Sequence, residues 1–386
     1  MAARKGSHVD TSTHASASHA DAALLLSLKG SQAPASSSSK NNASFSVAAT
    51  IIRASSSRRR ARAFGNSHSE YAAEEAYRRR HSHSRSPSPP THVKFEFELN
   101  PPDEPEHPLE RAARIRTRSK RVPRKSAKGS ITLPRVLNRP AYCAVPASRF
   151  KPIDPKLAEI PVEYVQDSLA ELGPGMLNIL ASVEFESICD TGEGIPEEVS
   201  LSVSDDSSDA PTHVFAIHDR QPDRLRKHIV LYPAHHLVWA ANCAKLPEFA
   251  PSHPGRPAPG EPYTVPVVPL CIPHSATFAD LAAYIYSKRA DNLLSALLPD
   301  NAFARLADPR RNAHLVYAES LAMKYSAKEL LTRYVTRVQG LWRNVCALGL
   351  YDQGIWFIID LVWEVLLNAV AISTGSKVLP GRDVDF

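Results

Sequence analysis

Residues 231–243 read Leu-Tyr-Pro-Ala-His-His-Leu-Val-Trp-Ala-Ala-Asn-Cys. The pattern changes inside this stretch. His228 to Tyr232 has the length and character of a short strand. From Pro233 to Leu246 the apolar residues Leu237, Val238, Ala241 and Leu246 recur at helical spacing. A strand running straight into an apolar helix predicts an α+β domain, and the flanking sequence extends that reading in both directions.

Upstream, His213 to His218 is a second strand candidate, and residues 186–210 read as an acidic loop interrupted by a strand at Val199 to Val203. Helical patterning covers Pro161 to Leu172. Gly173-Pro174-Gly175 predicts a break, with the helix resuming from Met176 to Phe185. Downstream, Pro247 to Pro262 is a Pro-rich loop. Val265 to Ile272 is a strand whose prolines predict an edge position or a strand start. Thr277 is a cap for Phe278 to Tyr286, and Asp291 for Asn292 to Leu298. Ala313 to Tyr325 is a helix. Ser326 caps a longer one that carries Leu330, Leu331, Tyr334, Val335, Val338, Leu341, Trp342 and Val345 on one stripe.

The last helix, Ile355 to Ile372, is nearly long enough to span a bilayer. Asp360, Glu364 and Asn368 stand at i, i+4 and i+8, on one face. A carboxylate at bilayer centre costs about 2.5–3.5 kcal/mol, and there are two. The expectation is a soluble helix with one polar stripe.

The front of the chain differs in kind. The whole sequence has a net charge of +6, yet residues 1–130 hold 23 Lys and Arg against 11 Asp and Glu. The remainder is therefore mildly acidic. The first 130 residues are rich in Ser, Ala, His and Arg without a sustained period, and are expected to be disordered. Val93 to Leu99 alternates Val93, Phe95, Phe97 and Leu99 with charged residues, the pattern of a half-buried strand or docking motif, though a transient extended segment is the default. The expected organisation is a basic tail (1–130), a Pro-rich lead-in with short helices and an acidic loop (131–211), a core (212–335), C-terminal helices packed on it (336–375) and a short end (376–386).

The five cysteines are odd in number and irregularly spaced, which points to a reducing compartment. No P-loop, HExxH, GxSxG or GxGxxG occurs. Cys271 and His274 form a CxxH pair without the second pair that zinc requires. His235-His236 lie two helical turns from Cys243, too far for direct proton transfer. The expectations are no catalytic residues, no metal site and no cofactor.

The basic runs are the clearest signal. Arg111, Arg114, Arg116, Arg118, Lys120, Arg121, Arg124, Lys125 and Lys128 form a run without an acidic residue. Extended Lys and Arg side chains suit an importin groove, so the run is a nuclear-localisation candidate. Ser86 and Ser88 precede prolines and are phosphorylation candidates. Trp342, Trp356 and Trp363, with Asp360 and Glu364, are candidates for a partner surface on the last helices.

Two resemblances follow. Ala234 to Cys243 resembles the strand-to-helix turn of BTB/POZ domains. Val268 to Ile272, Thr277-Phe278 and Tyr284-Ile285-Tyr286 resemble that family's next strand and helix. Ala322-Met323-Lys324-Tyr325 with Leu330 resembles the alanine-rich helix after it. At closer range residues 131–375 resemble the fungal clampless-type proteins, on Leu231 to Leu237, Pro266 to Pro273, Tyr284 to Arg289, Leu341 to Gly349 and Ile359 to Trp363. The first resemblance implies a BTB-like core with extra C-terminal helices. The second implies a non-enzymatic regulator of clamp-cell formation and dikaryotic growth in basidiomycete mating. The basic tail adds a nuclear location, with protein partners, transcription regulators among them. The alternatives are a BTB-type substrate adaptor for a ubiquitin ligase and a weak, sequence-blind DNA binder acting through the tail. No membrane association is expected, and homodimerisation stays open.

Overall fold

The computed structural model describes residues 47–58, 91–99, 127–186, 195–204, 209–219, 229–255, 257–307 and 312–377, together with Ala73. These include helices α1 (Val47–Arg58), α2 (Val162–Leu180), α3 (His236–Asn242), α4 (Phe278–Ser287), α5 (Ala290–Leu297), α6 (Ala302–Leu306) and α7 (Ala313–Lys324). The short α8 (Ala327–Glu329) widens into a π turn at Leu330–Val335 and runs on as α9 (Thr336–Leu348), and α10 (Gln353–Ser373) follows. The strands are β1 (His92–Leu99), β2 (Ala127–Pro134), β3 (Val183–Phe185), β4 (Glu198–Val203), β5 (His213–Asp219), β6 (Val230–Ala234) and β7 (Tyr263–Ile272). Among the described residues the architecture is α+β, with two sheets.

The larger sheet has the order β3-β4-β7-β5-β6. Its middle strand is β7, which contains Pro266 and Pro269, residues expected at an edge or a strand start. The register removes the conflict. β4 pairs with the first half of β7, Glu198 opposite Pro266 and Leu201 opposite Tyr263. β5 pairs in parallel with the second half, from Val214 opposite Val267 onward. The Val267 N–H donates to the carbonyl of Glu197 at 2.8 Å, on the β4 side. By alternation the missing N–H of Pro266 falls on the β5 side before that ladder begins. That of Pro269 falls on the β4 side after that ladder has ended. Each proline thus sits where the strand is locally an edge.

The same strand serves two cores. Val265 and Val267 join Val199, Leu201, Val214 and Ala216 in a small cluster on one face. Val268, Leu270 and Ile272 join Phe215 and Ile217 in the main core on the other.

Helix α10 is the centre of the main core. Every residue from Ile358 to Ala371 is buried. By length and composition α10 could cross a membrane, but 83% of its most apolar 18-residue window is buried inside the protein. Helices α5, α7 and α9 and the π turn pack around it. The C-terminal helices are therefore not an addition packed on a finished core; α10 is its middle.

Helix α2 runs unbroken through Pro174, against the expected interruption. Gly173 explains part of this. A Cβ there would lie 2.1 Å from the Tyr286 carbonyl oxygen, so only glycine lets α2 approach the end of α4 this closely. Val165, Leu169, Met176 and Leu180 of α2 are buried in the main core, which offsets the hydrogen bond lost at Pro174.

Three stretches assigned to the tail are ordered parts of the fold. Val47 and Ile51 of α1 are buried in the main core. The Val47 N–H donates to Asp209 Oδ1 at 2.9 Å. β1 and β2 pair antiparallel from His92–Pro134 to Leu99–Ala127, and Phe95 is fully buried. The alternation in Val93–Leu99 is thus a half-buried strand. Lys128 lies in β2, while Arg111 to Lys125, Ser86 and Ser88 lie outside the described residues.

Candidate functional site

Residues 133–145 form a strap laid over the face of α10 and the end of α9. Its inward positions alternate, as in any extended chain: Leu133, Arg135 and Leu137 are buried and Arg139 nearly so. The sequence places two apolar and two cationic side chains on one side of a segment that belongs to no helix or strand beyond Pro134.

The cations meet the polar stripe of α10. Arg135 makes a two-pronged contact with Glu364, Nη1 to Oε2 at 2.6 Å and Nη2 to Oε1 at 2.9 Å. Arg139 donates to Asp360 Oδ2 at 2.6 Å and to Gln353 Oε1 at 3.2 Å, and its guanidinium lies 5.6 Å from the Trp356 ring centre. Asn368 donates to the Glu364 carbonyl at 3.1 Å, which finishes the stripe. Four residues of extended chain span about 13 Å, whereas i and i+4 on a helix lie about 6 Å apart. The arginines therefore converge on the two carboxylates, with the strap running against the helix direction.

Two indoles close the contact. Trp363 Nε1 donates to the Pro134 carbonyl at 3.1 Å, and Trp342 Nε1 to the Asn138 carbonyl at 2.9 Å. Trp356 Nε1 turns inward, to the Leu350 carbonyl at 3.0 Å. Tyr142 packs edge-on against Tyr351 at 5.3 Å.

A second polar cluster sits at the N-terminus of α10. Asp352 caps the helix through the Gly354 N–H at 2.8 Å. Its carboxylate also accepts from Tyr284 Oη at 2.9 Å and from Lys288 Nζ at 2.9 Å. Lys288 ends α4 in a left-handed conformation and reaches Asn242 Oδ1 at 2.7 Å. Lys288 thereby links α3 and α4 to the carboxylate that caps α10.

The histidines and the cysteine of the Leu231–Cys243 stretch lie beside it, buried. His235 Nε2 pairs with the Asp209 carbonyl at 2.8 Å and Nδ1 with Tyr286 Oη at 3.1 Å. Burial pushes its pKa down to about 4. His236 packs against His213 and Phe249, with ring centres 5.1 and 4.5 Å apart. Burial, then the neighbouring His213, Arg149 and His253, push its pKa down to about 3. Burial pushes the Cys243 thiol up to about 12. That is opposite to the shift a nucleophilic cysteine needs. Among the described residues, no group of three or more His, Cys, Asp or Glu is arranged to hold a metal ion.

The structure thus gathers the five expected partner-surface residues along one strip, and corrects their role. Trp356, Trp363, Asp360 and Glu364 are buried, and Trp342 is partly buried. The strap covers them because two carboxylates on a core helix need counter-ions. Arg135, Arg139 and Leu137 were missed by the reading of the sequence. The signal was there, in the alternation Leu133, Arg135, Leu137, Arg139, but the prolines around it read as mere punctuation.

Comparison with known proteins gives two matches. Residues 140–273 match the family model described as Clampless protein 1 N-terminal domain. Residues 291–383 match Clampless protein 1 C-terminal domain. No curated protein and no solved structure matches the chain. The first match runs from the middle of the strap to just past the end of β7, and the second takes in α5 to α10. With both domains present in this order, the chain belongs to the clampless-type family.

Proposed function

We propose that this protein is a non-enzymatic, nuclear regulator of fungal sexual development, needed for clamp-cell formation and dikaryotic growth and working through protein contacts. The observation that carries the reading is the pair of family matches over 140–273 and 291–383. The nuclear part rests on the run from Arg111 to Lys128. The non-catalytic part is supported by the burial of Cys243 and His235, which leaves neither open to a substrate.

The test has two arms. In a fluorescent fusion, replacing Arg118, Lys120, Arg121, Arg124 and Lys125 with Ala is expected to move the signal from nucleus to cytoplasm. In a strain lacking the gene, the unaltered chain and its Cys243→Ser variant are both expected to restore clamp cells. A folded Cys243→Ser protein without activity would reopen the enzymatic reading.

One observation favours the ubiquitin-ligase adaptor as a second reading. Strand β6 leads into α3, β7 lies parallel to β5, and α4 and α7 follow, which is the element order the BTB/POZ resemblance implies. Association with a cullin scaffold in a pull-down would select it.

A further inference from the structure

The Pro-rich loop between α3 and β7 contains Pro251-Ser252-His253-Pro254-Gly255-Arg256-Pro257-Ala258-Pro259. Prolines stand at every third position, Pro251, Pro254 and Pro257. All of residues 251–259 except Ser252 and Gly255 are prolines or stand just before one. Proline fixes φ near −65° and pushes the residue before it to extended backbone. That is the composition of a polyproline II segment, which has three residues per turn and lines such prolines along one edge, about 9 Å apart.

The fold presents this segment by its ends. Phe249 is buried, its ring centre 4.5 Å from that of His236 and 5.2 Å from that of His213. The Ala250 carbonyl accepts from His213 Nε2 at 2.8 Å. At the far end the Ala258 N–H donates to Glu261 Oε2 at 2.9 Å, and the Gly260 N–H to the Val203 carbonyl at 2.8 Å. Between these clamps the described residues form no helix or strand and make no backbone hydrogen bond within the chain. Pro251, His253, Gly255 and Pro259 are exposed, and Pro254 and Pro257 are half-buried. A polyproline II backbone makes no internal hydrogen bonds, so the segment is in the state that its readers recognise.

We propose that the repeat Pro251, Pro254, Pro257 is a docking site for an SH3-type domain, whose aromatic-lined groove receives prolines spaced three apart. Arg256, two places after Pro254 in the sequence, supplies a cation for an acidic pocket at one end of that groove. The clamps at Phe249 and Gly260, with the prolines between them, keep the ordering cost of binding small. The inference rests on the protein-contact reading above and adds to it the class of partner.

The test sets the purified full-length chain against an array of immobilised SH3 domains. A subset is expected to bind. Pro254→Ala and Arg256→Glu are each expected to weaken that binding by about tenfold, whereas Pro262→Ala, outside the repeat, should change it by less than about twofold. Thermal melts of the variants check that the fold is kept; if Pro254→Ala lowers the melting temperature, Arg256→Glu decides. A synthetic peptide of residues 247–262 should compete with the full-length chain for the same domains. If the peptide binds and the full-length chain does not, the fold hides the repeat and the proposal falls. Binding by no domain of the array, or binding that survives both substitutions, overturns it as well. All these measurements use purified protein, so their failure leaves the nuclear-import and clamp-cell results standing and removes only this class of partner.

Discussion

Two buried polar regions of this molecule solve one problem in opposite ways. Under the strap, Arg135, Arg139, Asp360 and Glu364 are each set against an opposite charge a few ångströms away. Beside β5 and α3, burial lowers the pKa values of His213, His235 and His236, and the charges acting on His236 come from other cationic groups, with no carboxylate among them. A low-dielectric interior accepts charges that arrive in pairs and makes unpaired groups neutral. The strap therefore depends on a specific partner for each group. The histidine cluster depends on the solution pH.

Breaking one member of a strap pair tests the first half of this contrast most strongly. Arg135→Ala leaves Glu364 buried without its guanidinium, and should cost about 3–5 kcal/mol in urea unfolding. Arg135→Met combined with Glu364→Leu should recover most of that loss, because the charges leave together. A double variant as unstable as the single one would show that packing, not charge pairing, holds the strap.

Acid tests the second half. The folded pKa values of His235 and His236 lie below the ordinary imidazole value, so the unfolded chain binds more protons in the window between. Stability is therefore full near neutral pH and falls as the pH drops below about 6.5. The expected slope is about 1.4 kcal/mol per pH unit for each histidine. Thermal melts from pH 7 to 5 should show it, and His236→Phe should flatten the profile. A flat profile in the unaltered protein would remove the contrast.

Two smaller changes sharpen it. Gly173→Ala forces a Cβ against the Tyr286 carbonyl, on the helix whose Gln166 Nε2 donates to the Ala241 carbonyl at 2.7 Å. It should cost about 1–3 kcal/mol, with its effect on the histidine side and the strap unchanged. Trp363→Phe removes the hydrogen bond to the Pro134 carbonyl while keeping the ring. The expected loss is about 1 kcal/mol, read by denaturation, with faster cleavage at the strap in limited proteolysis.

Much of the fold was legible because local pattern and tertiary role agreed. The change of period between Leu231 and Cys243 marked β6 and α3. Ser326 caps its helix as expected, Glu329 N–H to Ser326 Oγ at 3.3 Å, and the structure adds the return bond, Ser326 N–H to Glu329 Oε2 at 2.9 Å. Where reading failed, the deciding contact was distant. The break expected at Pro174 did not occur, because α2 is held by Tyr286, more than a hundred residues on. The prolines of β7 did mark edges, but of half-ladders that only the pairing with β4 and β5 reveals. Helix α1 and the β1–β2 ribbon lie in sequence dominated by polar and basic residues, yet they bury Val47, Ile51 and Phe95 against elements supplied from elsewhere.

By itself the sequence determined the α+β class, the buried final helix, and the stripe of Asp360, Glu364 and Asn368, since these depend on spacing within one element. Tertiary structure alone decided what that stripe faces. A row of carboxylates on an apolar helix fits a solvated edge, a partner surface or a buried seat equally well until its counter-charges are located. Arg135 and Arg139 lie more than two hundred residues away in the chain, and the docking of the strap, not any local propensity, places them there.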